Sequence, residues 1–304
     1  LNVASVSKEW IELTIQTKDE LIEPLTELLR KYTLPFAVVL YDKGERISEI
    51  FQVSDLIRVY TYIPVDSKSQ NIREMVDVGL KVLSIIHETI IIDEKHVNQA
   101  YWEQIWKTHF SILPILDKLV IKPVWQELDD KDDRIVINLD PGMAFGTGHH
   151  PTTRMCLEEL SRQELTGKSI LDIGSGSGIL SIAAVKLGAL SCIGIDIDEN
   201  AIDSALNNIE MNGVSENITL QTGVLDDLDS TFKYDVIVAN ITAQIIINLV
   251  PSIGSYLKPN GIVITSGILS ELFPEVENTF NQLGFKCTSI INSGDWSLGV
   301  FSIT

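Results

Sequence analysis

The sequence predicts an α/β protein with two domains, a Rossmann-like seven-stranded sheet with an antiparallel last strand and, before it, a small ferredoxin-like α+β domain. From residue 134 onward β-rich runs alternate with helical runs, which is typical of parallel βαβ units with helices on both faces. The last two β-rich runs, at 285–291 and 296–303, have no helix between them and can pair as an antiparallel hairpin. A chain of 304 residues is also longer than one ordinary domain needs.

The ferredoxin-like domain is predicted over residues 1–95 from the order βαββαβ. Residues 10–17 alternate apolar and polar side chains with the period of a half-buried strand. Helical spacing of apolar residues follows at 19–31 and 71–86. The predicted strands occupy residues 10–17, 36–41, 56–64 and 89–92.

Residues 96–126 are predicted to form a helical connector. Four aromatic residues recur three or four positions apart and share one side of a helix: Tyr101, Trp102, Trp106 and Phe110. A stripe of this kind is more often buried packing than a platform for substrate. The acidic stretch at 127–133 is expected to be a solvated loop that opens the second domain, residues 127–304.

The second domain is predicted from regularly spaced short elements. Its helical runs cover 154–160, 179–187 and 199–211, and another begins at residue 243. Besides the final hairpin, its β-rich runs cover 169–173, 191–195, 218–221, 234–239 and 261–265.

The charge balance argues against a nucleic-acid partner. There are 23 basic and 42 acidic residues, for a net charge of −19, and such a surface repels a phosphate backbone. An acidic surface favours a basic protein partner, although solubility alone also accounts for it. The three cysteines have no paired spacing, which indicates a reducing compartment. Since no apolar run reaches the ~18 residues of a membrane span, we expect a cytoplasmic protein without membrane contact.

The most informative segment is a glycine-rich turn between a strand and a helix. Asp172 is followed by Gly174, Gly176 and Gly178, and a helical run begins directly afterwards. Glycines let a ligand lie against the backbone, and a helix N-terminus offers free amide donors. The dinucleotide fingerprint needs glycine where this chain has Ile179. The pattern D-x-G-x-G-x-G fits better, and in class I methyltransferases this turn lies beneath S-adenosylmethionine; an ordinary tight turn is the alternative.

Two polar residues end strands close to this turn. Asp196 ends the next strand, where a carboxylate can accept hydrogen bonds from both ribose hydroxyls of an adenosine cofactor. Asp198 is interpreted instead as the cap of the following helix. Asn240 ends a later apolar strand, and ligands of open α/β sheets bind at the carboxyl ends of strands. Asn240 can orient an amine through its amide oxygen or cap the helix from residue 243, and spacing alone leaves both roles open.

A loop rich in glycine, histidine and threonine precedes the turn, at residues 139–153. Its composition is typical of a mobile loop that closes over a ligand. Adjacent histidines such as His149 and His150 rarely both point at one ion, and no third ligand is near. We therefore expect no metal site.

These segments resemble the bacterial methyltransferases that modify the eleventh protein of the large ribosomal subunit. An earlier pattern, Trp102, Trp106, Pro123 and Trp125, also matches. One departure is the pair His149-His150, where the family is expected to have a single histidine. The matching stretches are LDPGMAFGTGHHPTT at 139–153, LDIGSGSGILSIAAVKLGA at 171–189, GIDIDENAI at 194–202, VANI at 238–241 and SGIL at 266–269.

The resemblance implies a class I methyltransferase whose cofactor is S-adenosylmethionine. It also implies that the N-terminal domain grips a large-subunit ribosomal protein before assembly, and that lysine side chains and an α-amine are methylated. Asn240 would also orient the target amine as the catalytic residue. The cofactor-binding residues that follow from the matched motifs are Phe145, Thr152, Thr153, Gly174, Gly176, Gly178, Asp196 and Asn240.

Three alternatives stay open from the sequence. Methyltransferases of glutamine amides carry Asn-Pro-Pro-Tyr at the fourth strand, whereas Asn240 is followed here by Ile241 and Thr242. A nucleotide-dependent oxidoreductase would need glycine in place of Ile179. A catalytically silent ribosome-assembly factor would keep the same motifs, so only an activity assay distinguishes it.

The sequence offers no evident general base for methyl transfer to an amine. A lysine ammonium, with an ordinary pKa near ~10.4, must lose a proton before it can react. We hypothesise that desolvation in the site lowers this pKa and that solvent takes the proton.

Overall fold

The protein comprises two compact units, Leu1–Phe110 and Ser111–Thr304. Within the described residues no helix is both long and apolar enough to cross a lipid bilayer. The structure is a computed structural model that describes residues 9–33, 38–40, 56–98, 111–129, 132–140 and 148–303.

The first unit is built on one antiparallel sheet. Its described elements are β1 Glu9–Lys18, α1 Ile22–Tyr32, β2 Val38–Leu40, β3 Leu56–Pro64, α2 Ser69–Leu83 and β4 Ile90–Asn98. The strand order is β2-β3-β1-β4, with every neighbouring pair antiparallel. This order, together with the chain order βαββαβ, confirms the predicted ferredoxin-like domain.

The core of the first unit follows from the alternation of side chains along β1. Leu13 of β1 is fully buried against Leu25 of α1 and Val76 of α2, so both helices pack on one face of the sheet. Trp10 and Tyr62 belong to a second buried cluster. The period-2 pattern therefore predicted which side chains of β1 form the main core.

Strand β4 is longer than the predicted run at 89–92. Its antiparallel ladder with β1 continues until Asn98 lies opposite Glu9. The polar residues Asp93, Glu94 and Lys95 have low strand propensity, but their segment is held in the strand by its antiparallel pairing with β1. Main-chain pairing thus outweighs local propensity here.

The second unit begins with a small three-stranded sheet that the sequence patterns did not predict. Its strands are β5 Leu113–Ile115, β6 Leu119–Pro123 and β7 Ile135–Leu139. β6 pairs antiparallel with β5 and parallel with β7. The described part of the predicted connector, residues 96–126, thus includes β5 and β6, while the aromatic stripe at 101–110 lies outside the described residues. The three-part domain division stays a prediction.

The main sheet of the second unit has seven strands and five helices around it. These elements are α3 Pro151–Arg162, β8 Ser169–Ile173, α4 Ile179–Lys186, β9 Ser191–Asp196, α5 Glu199–Met211, β10 Ile218–Thr222, β11 Tyr234–Asn240, α6 Ala243–Ile253, β12 Leu257–Leu269, α7 Phe273–Gln282, β13 Phe285–Ser293 and β14 Trp296–Ile303. The strand order is β10-β9-β8-β11-β12-β14-β13. All neighbours are parallel except β14, which runs antiparallel to β12 and β13. This confirms the predicted Rossmann-like sheet and its closing hairpin.

Helices cover both faces of this sheet. Val236 and Val238 of β11 join a core cluster with residues of α3, α4 and α5, whereas Ile237 joins a second cluster with residues of α6 and α7. All three β11 residues are fully buried, and each such side chain contributes about 1.5–3 kcal/mol through burial. The continuous apolar run of β11 reflects burial on both faces.

Candidate functional site

The carboxyl ends of β8, β9 and β11 meet where the strand order reverses. β8 lies between β9 and β11, and the chain proceeds from β8 toward one edge of the sheet and from β11 toward the other. Such a switch point leaves a crevice outside the strand ends, where ligands of open α/β sheets bind. Gly174 follows β8, while Asp196 and Asn240 are the last residues of β9 and β11.

The glycines of the turn are required by backbone conformation and by close packing. Gly174 and Gly178 have φ of +75° and +77°, in the left-handed region. A Cβ on Gly174 would lie 2.5 Å from Cγ2 of Ile241, and one on Gly178 would lie 3.0 Å from Cβ of Ala205. The turn is therefore held between the end of β11 and helix α5.

The amide donors of the turn are engaged by acceptors of the protein itself. Gly174 and Ser175 donate to the carbonyl of Ile195 at 2.8 and 3.0 Å, Gly176 donates to Oδ2 of Asp196 at 2.9 Å, and Gly178 donates to the carbonyl of Ser175 at 2.8 Å. A phosphate cradle instead presents free amides to its anion. These four amides are not available to an anion, so the turn suits a ligand without phosphate.

Asp196 organises the turn and keeps acceptor capacity. Its Oδ2 accepts from Gly176 and its Oδ1 accepts from the amide of Asp198 at 3.0 Å. A carboxylate has about four acceptor positions, so each oxygen can accept one more hydrogen bond. The half-buried side chain of Asp196 can therefore bind a diol. Asp198 accepts from the amide of Asn200 at 2.9 Å, which confirms its predicted role as the cap of α5.

Asn240 and Thr153 are brought together at the other side of the crevice. Nδ2 of Asn240 donates to Oγ1 of Thr153 at 3.1 Å. Oδ1 of Asn240 is buried and has no hydrogen-bond partner among the described residues. The N-cap residue of α6 is Thr242, and no side chain caps that helix, so the capping role considered for Asn240 is not observed. Since an unpaired buried acceptor costs about 1–3 kcal/mol, this oxygen is a candidate acceptor for a ligand donor.

His150 begins the helix that carries Thr153. Its Nδ1 accepts from the amide of Thr152 at 3.3 Å and lies 2.7 Å from the Thr152 hydroxyl, which therefore also donates. The ring packs edge-on against Trp296, with centroids 5.1 Å apart. Burial lowers the pKa of His150 to about 4, so the ring is neutral at physiological pH. Sequence reasoning missed this cap, although a residue before Pro151 at the first helical position is typical of one.

Asp172 lies beneath the turn rather than in the crevice. Its side chain is fully buried and accepts from the hydroxyl of Ser181 in α4 at 2.7 Å. Burial, with the nearby charge of Asp196, raises the pKa of Asp172 to about 6. Oδ1 of Asp172 and Oγ of Ser175 are further buried atoms without a partner among the described residues. Unsatisfied polar atoms thus concentrate around the turn.

Two exposed aliphatic residues flank Asp196, and sequence reasoning missed them. Ile197 is 75% exposed and Val224 is 50% exposed. They follow the adjacent strands β9 and β10, where the amide of Gly223 donates to the carbonyl of Asp196 at 2.9 Å. Their position, one and two residues after the last residues of the paired strands β9 and β10, would have been the signal. Apolar surface beside an acceptor suits a flat ring attached to a diol.

The remaining predicted site residues divide between described and undescribed parts of the chain. Thr152 is buried with its hydroxyl on His150, and Gly176 contacts Asp196. Phe145 lies outside the described residues. No group of three or more His, Cys, Asp or Glu side chains in the described ranges is arranged to hold a metal ion. The cofactor contacts of these residues stay predictions.

Comparison with known proteins gives consistent matches over nearly the whole chain. A family model described as ribosomal protein L11 methyltransferase (PrmA) matches residues 9–302. The ribosomal protein L11 methyltransferases of Acetivibrio thermocellus and Bacillus pumilus are 35% and 34% identical to this chain over 307 residues, which covers 95% of this chain and 96% and 97% of theirs. The crystal structure of ribosomal protein L11 methylase from Lactobacillus delbrueckii subsp. bulgaricus is 36% identical with a TM-score of 0.60, covering 64% of this chain and 99% of that one.

Proposed function

This chain belongs to the ribosomal protein L11 methyltransferase family, and we propose that it transfers methyl groups from S-adenosylmethionine to amines of ribosomal protein L11. The proposed acceptors are lysine side chains and the N-terminal α-amine. The observation that carries the amine assignment is the buried, unpartnered Oδ1 of Asn240 at the switch point of the sheet. An amide oxygen there accepts a hydrogen bond from an N–H group.

The described residues fit S-adenosylmethionine. Asp196 offers free acceptor positions for the two ribose hydroxyls, and the exposed side chains of Ile197 and Val224 offer apolar surface for the adenine. The buried, unpartnered hydroxyl of Ser175 is available to the methionine part of the cofactor. These residues, with the glycine turn, are those that would hold the cofactor.

The turn argues against a nicotinamide dinucleotide. A pyrophosphate needs free amide donors at the start of the helix, but the amides of Gly174, Ser175, Gly176 and Gly178 donate to the protein. Family membership and this hydrogen-bond pattern together favour the methyl donor.

In the proposed mechanism the chain mainly aligns the reacting atoms. Bound S-adenosylmethionine supplies an activated methyl group on a sulfonium, which is an excellent leaving group. Oδ1 of Asn240 accepts a hydrogen bond from the target amine and so orients its lone pair. The hydroxyl of Thr153, 3.1 Å from Nδ2, determines which way the Asn240 amide faces. Asn240 is therefore the catalytic residue and Thr153 its positioning residue.

The target ammonium must lose its proton before it reacts. Asp172 is the carboxylic acid of this region with a raised pKa, but it is fully buried and bonded to Ser181. We propose that the crevice lowers the pKa of the target amine by desolvation and that water takes the proton. No side chain of the described site then acts as a dedicated base.

The first unit is proposed to bind the ribosomal protein. The net charge of −19 supports encounter with a basic protein and opposes binding to bare nucleic acid. Buried free thiols at Cys156 and Cys192 are compatible with a reducing compartment, and we propose the cytoplasm. Methylation before the ribosomal protein joins the subunit is part of the same proposal.

Transfer of a labelled methyl group tests the proposal. The purified protein is incubated with S-adenosylmethionine carrying a labelled methyl, and with total ribosomal proteins from cells that lack this enzyme. Labelled bands are identified by mass, and modified residues by peptide mapping. Free L11 and intact large subunits are compared in parallel, and L11 with chemically acetylated amines serves as the negative control.

We expect one labelled band, L11, with label on lysines and the N-terminal amine and more label on the free protein. Label on glutamine would show that the methyl acceptor is an amide and not an amine. Label on another protein would show that L11 is not the substrate. Absence of label from a protein that binds S-adenosylmethionine would support the silent assembly factor. Equal labelling of free and assembled L11 would contradict the proposed timing.

A further inference from the structure

Helix α5 carries a buried asparagine that the proposed reaction does not use. Asn208 is fully buried, although it lies on a helix whose outer face is exposed. Its Nδ2 donates to the carbonyl of Ser177 in the glycine turn at 3.0 Å. Its Oδ1 accepts from the amide of Asp140 at 2.9 Å. One side chain thus connects two backbone segments that are far apart in sequence.

Both segments belong to the site. Ser177 lies between Gly176, whose amide donates to Asp196, and Gly178, which begins α4. Asp140 follows β7 directly and is near the start of the motif 139–153, which ends at Thr153. Asn208 therefore links the glycine turn, which is proposed to hold the cofactor, with the start of the motif 139–153. The last residue of this motif, Thr153, hydrogen-bonds to Asn240.

The rest of α5 supports the same contact. Ala205, one turn before Asn208, is the residue that a Cβ on Gly178 would approach to 3.0 Å. Asn212, one turn after, accepts from the amide of Asn138 at 2.9 Å and donates to its carbonyl at 2.6 Å. Residues 205, 208 and 212 lie on one face of the helix. This face contacts the turn at one end and β7 at the other, and Asn208 lies between them, with hydrogen bonds to Ser177 in the turn and to Asp140 directly after β7.

We propose that Asn208 is a positioning residue for cofactor binding, which couples the glycine turn to Asp140. The inference rests on the proposed function, since the ligand it concerns is S-adenosylmethionine. Nδ2 of Asn208 holds the direction of the Ser177 carbonyl through its hydrogen bond, and this direction is part of the path of the backbone between Gly176 and Gly178. Because coupling between sites is reciprocal, cofactor bound at the turn also stabilises the hydrogen bond at Asp140.

The chain provides matched controls for this role. Asn207 is the exposed neighbour of Asn208, so Asn207→Ala measures the effect of losing an asparagine from α5. Asn212→Ala removes a buried tie between α5 and β7 but no contact with the turn. Asn208→Asp keeps the acceptor for Asp140 and removes the donor to Ser177.

The experiment measures binding of S-adenosylhomocysteine, the unreactive product of the cofactor, by calorimetry alongside thermal unfolding of the same samples. The wild-type protein is measured first, and failure of the wild type to bind would overturn the proposed function itself. We expect Asn208→Ala and Asn208→Asp to weaken binding at least tenfold. Asn207→Ala and Asn212→Ala should change it less than twofold, although Asn212→Ala lowers the unfolding temperature about as much as Asn208→Ala.

Equal binding by wild type and folded Asn208 variants would overturn the inference, as would equal weakening by Asn212→Ala and Asn208→Ala. Amide hydrogen exchange in the wild type covers the case in which Asn208 variants do not fold. We expect S-adenosylhomocysteine to slow exchange at Asp140 and to leave Asn138 unchanged. Unaltered exchange at Asp140 in a protein that binds the ligand would equally overturn the inference.

Discussion

On the β8–β9 side of the crevice the backbone amides of Gly174, Ser175, Gly176 and Gly178 donate to acceptors of the protein, whereas on the β11 side a buried side-chain acceptor has no partner among the described residues. The amides of Gly174 and Gly176 donate to Ile195 and Asp196, but Oδ1 of Asn240 has no partner within the described residues. Amides that already donate to the protein hold the turn in place before the ligand arrives, so the turn contributes a preformed binding surface and hence affinity. An acceptor without a partner instead contributes to the methyl-transfer step, in which the target amine is present as a hydrogen-bond donor. We therefore propose cofactor binding on the first side and orientation of the amine on the second.

The largest effect should come from the open acceptor. Asn240→Ala is expected to lower kcat by about 100-fold or more while the Kd for S-adenosylmethionine changes less than threefold, because misplacement of the amine affects the reaction rather than the cofactor. Methyl transfer to L11 and calorimetric cofactor binding measure the two quantities. Asn281→Ala, at an exposed position of α7, is the control. Equal losses of binding and rate would contradict the orienting role.

The next largest effect should come from disrupting the packing of the turn against Ile241, and it should lower the free energy of unfolding. Gly174→Ala places a Cβ 2.5 Å from Ile241 at φ of +75°, and we expect a loss of about 3 kcal/mol in the free energy of unfolding. Gly167→Ala is the matched control, since Gly167 has φ of +74° and no atom within 4 Å of an added Cβ. Backbone strain alone should cost it about 1–2 kcal/mol. Urea unfolding measures both, and equal losses would show that contact with Ile241 is unimportant.

His150, which lies on the β11 side of the crevice, should make the free energy of unfolding depend on pH. Burial lowers its pKa to about 4, below the ordinary 6.5 that we take for the unfolded chain, so the folded state resists protonation. Its contribution is complete above pH 6.5 and is lost as the pH falls toward 4, by about 2–3 kcal/mol at pH 4.5. The Asn variant, His150→Asn, keeps a capping acceptor that does not titrate.

The difference in unfolding free energy between wild type and His150→Asn should therefore shift by about 2–3 kcal/mol, against the wild type, between pH 7.5 and pH 4.5. Asp172, whose pKa burial raises to about 6, acts in the opposite direction, since its cost grows as the pH rises from 3.8 to 6. It is present in both proteins and cancels in the difference. Parallel stability curves over this range would contradict a buried neutral His150.

The smallest effect should come from the residue that holds Asn240. Thr153→Val removes the acceptor for Nδ2 but keeps the shape of the side chain, and we expect kcat to fall about fivefold to tenfold. Thr153→Ser keeps the hydroxyl and should retain most of the rate. Cofactor affinity should fall by a smaller factor than kcat in Thr153→Val, since Thr153 is also a predicted cofactor contact. A Thr153→Val protein with unchanged kcat would show that the side chain of Asn240 is held by other contacts.

Local patterns predicted most of the fold. The runs at 56–64, 169–173, 199–211 and 296–303 coincide with observed elements because periodicity and flanking glycines or caps are read over a few residues. They did not predict β5, β6 and β7: β5 has three residues, too few for a period to show, and β6 lies within the segment interpreted as a helical connector. The length of β4 was underestimated for a different reason, since its polar half forms a strand only because it pairs with β1.

The residues of the candidate site also divide into those that local patterns predict and those that only the tertiary structure identifies. Gly174, Asp196 and Asn240 could be found in the sequence because each occupies a strand end in a recognisable motif. Asn208 could not, because the helical period of the run 199–211 places it on the buried face with Ala205 and Ile209 but does not show that it hydrogen-bonds to Ser177 and Asp140. The choice between capping and orienting roles for Asn240 also needed the position of Thr153, 87 residues away in the chain.

The sequence by itself therefore determined the two-domain α/β architecture, the βαββαβ order of the first unit, the closing antiparallel hairpin and the motifs that indicate a methyltransferase, since these depend on side-chain period and on glycines at required turns. Only the tertiary structure decided which polar groups are satisfied. His150 is a cap, the amides of the turn are engaged, Asn208 joins Ser177 to Asp140, and Oδ1 of Asn240 is open. The physical reason is that hydrogen bonds between distant segments depend on where folding brings donors and acceptors, which no local pattern records.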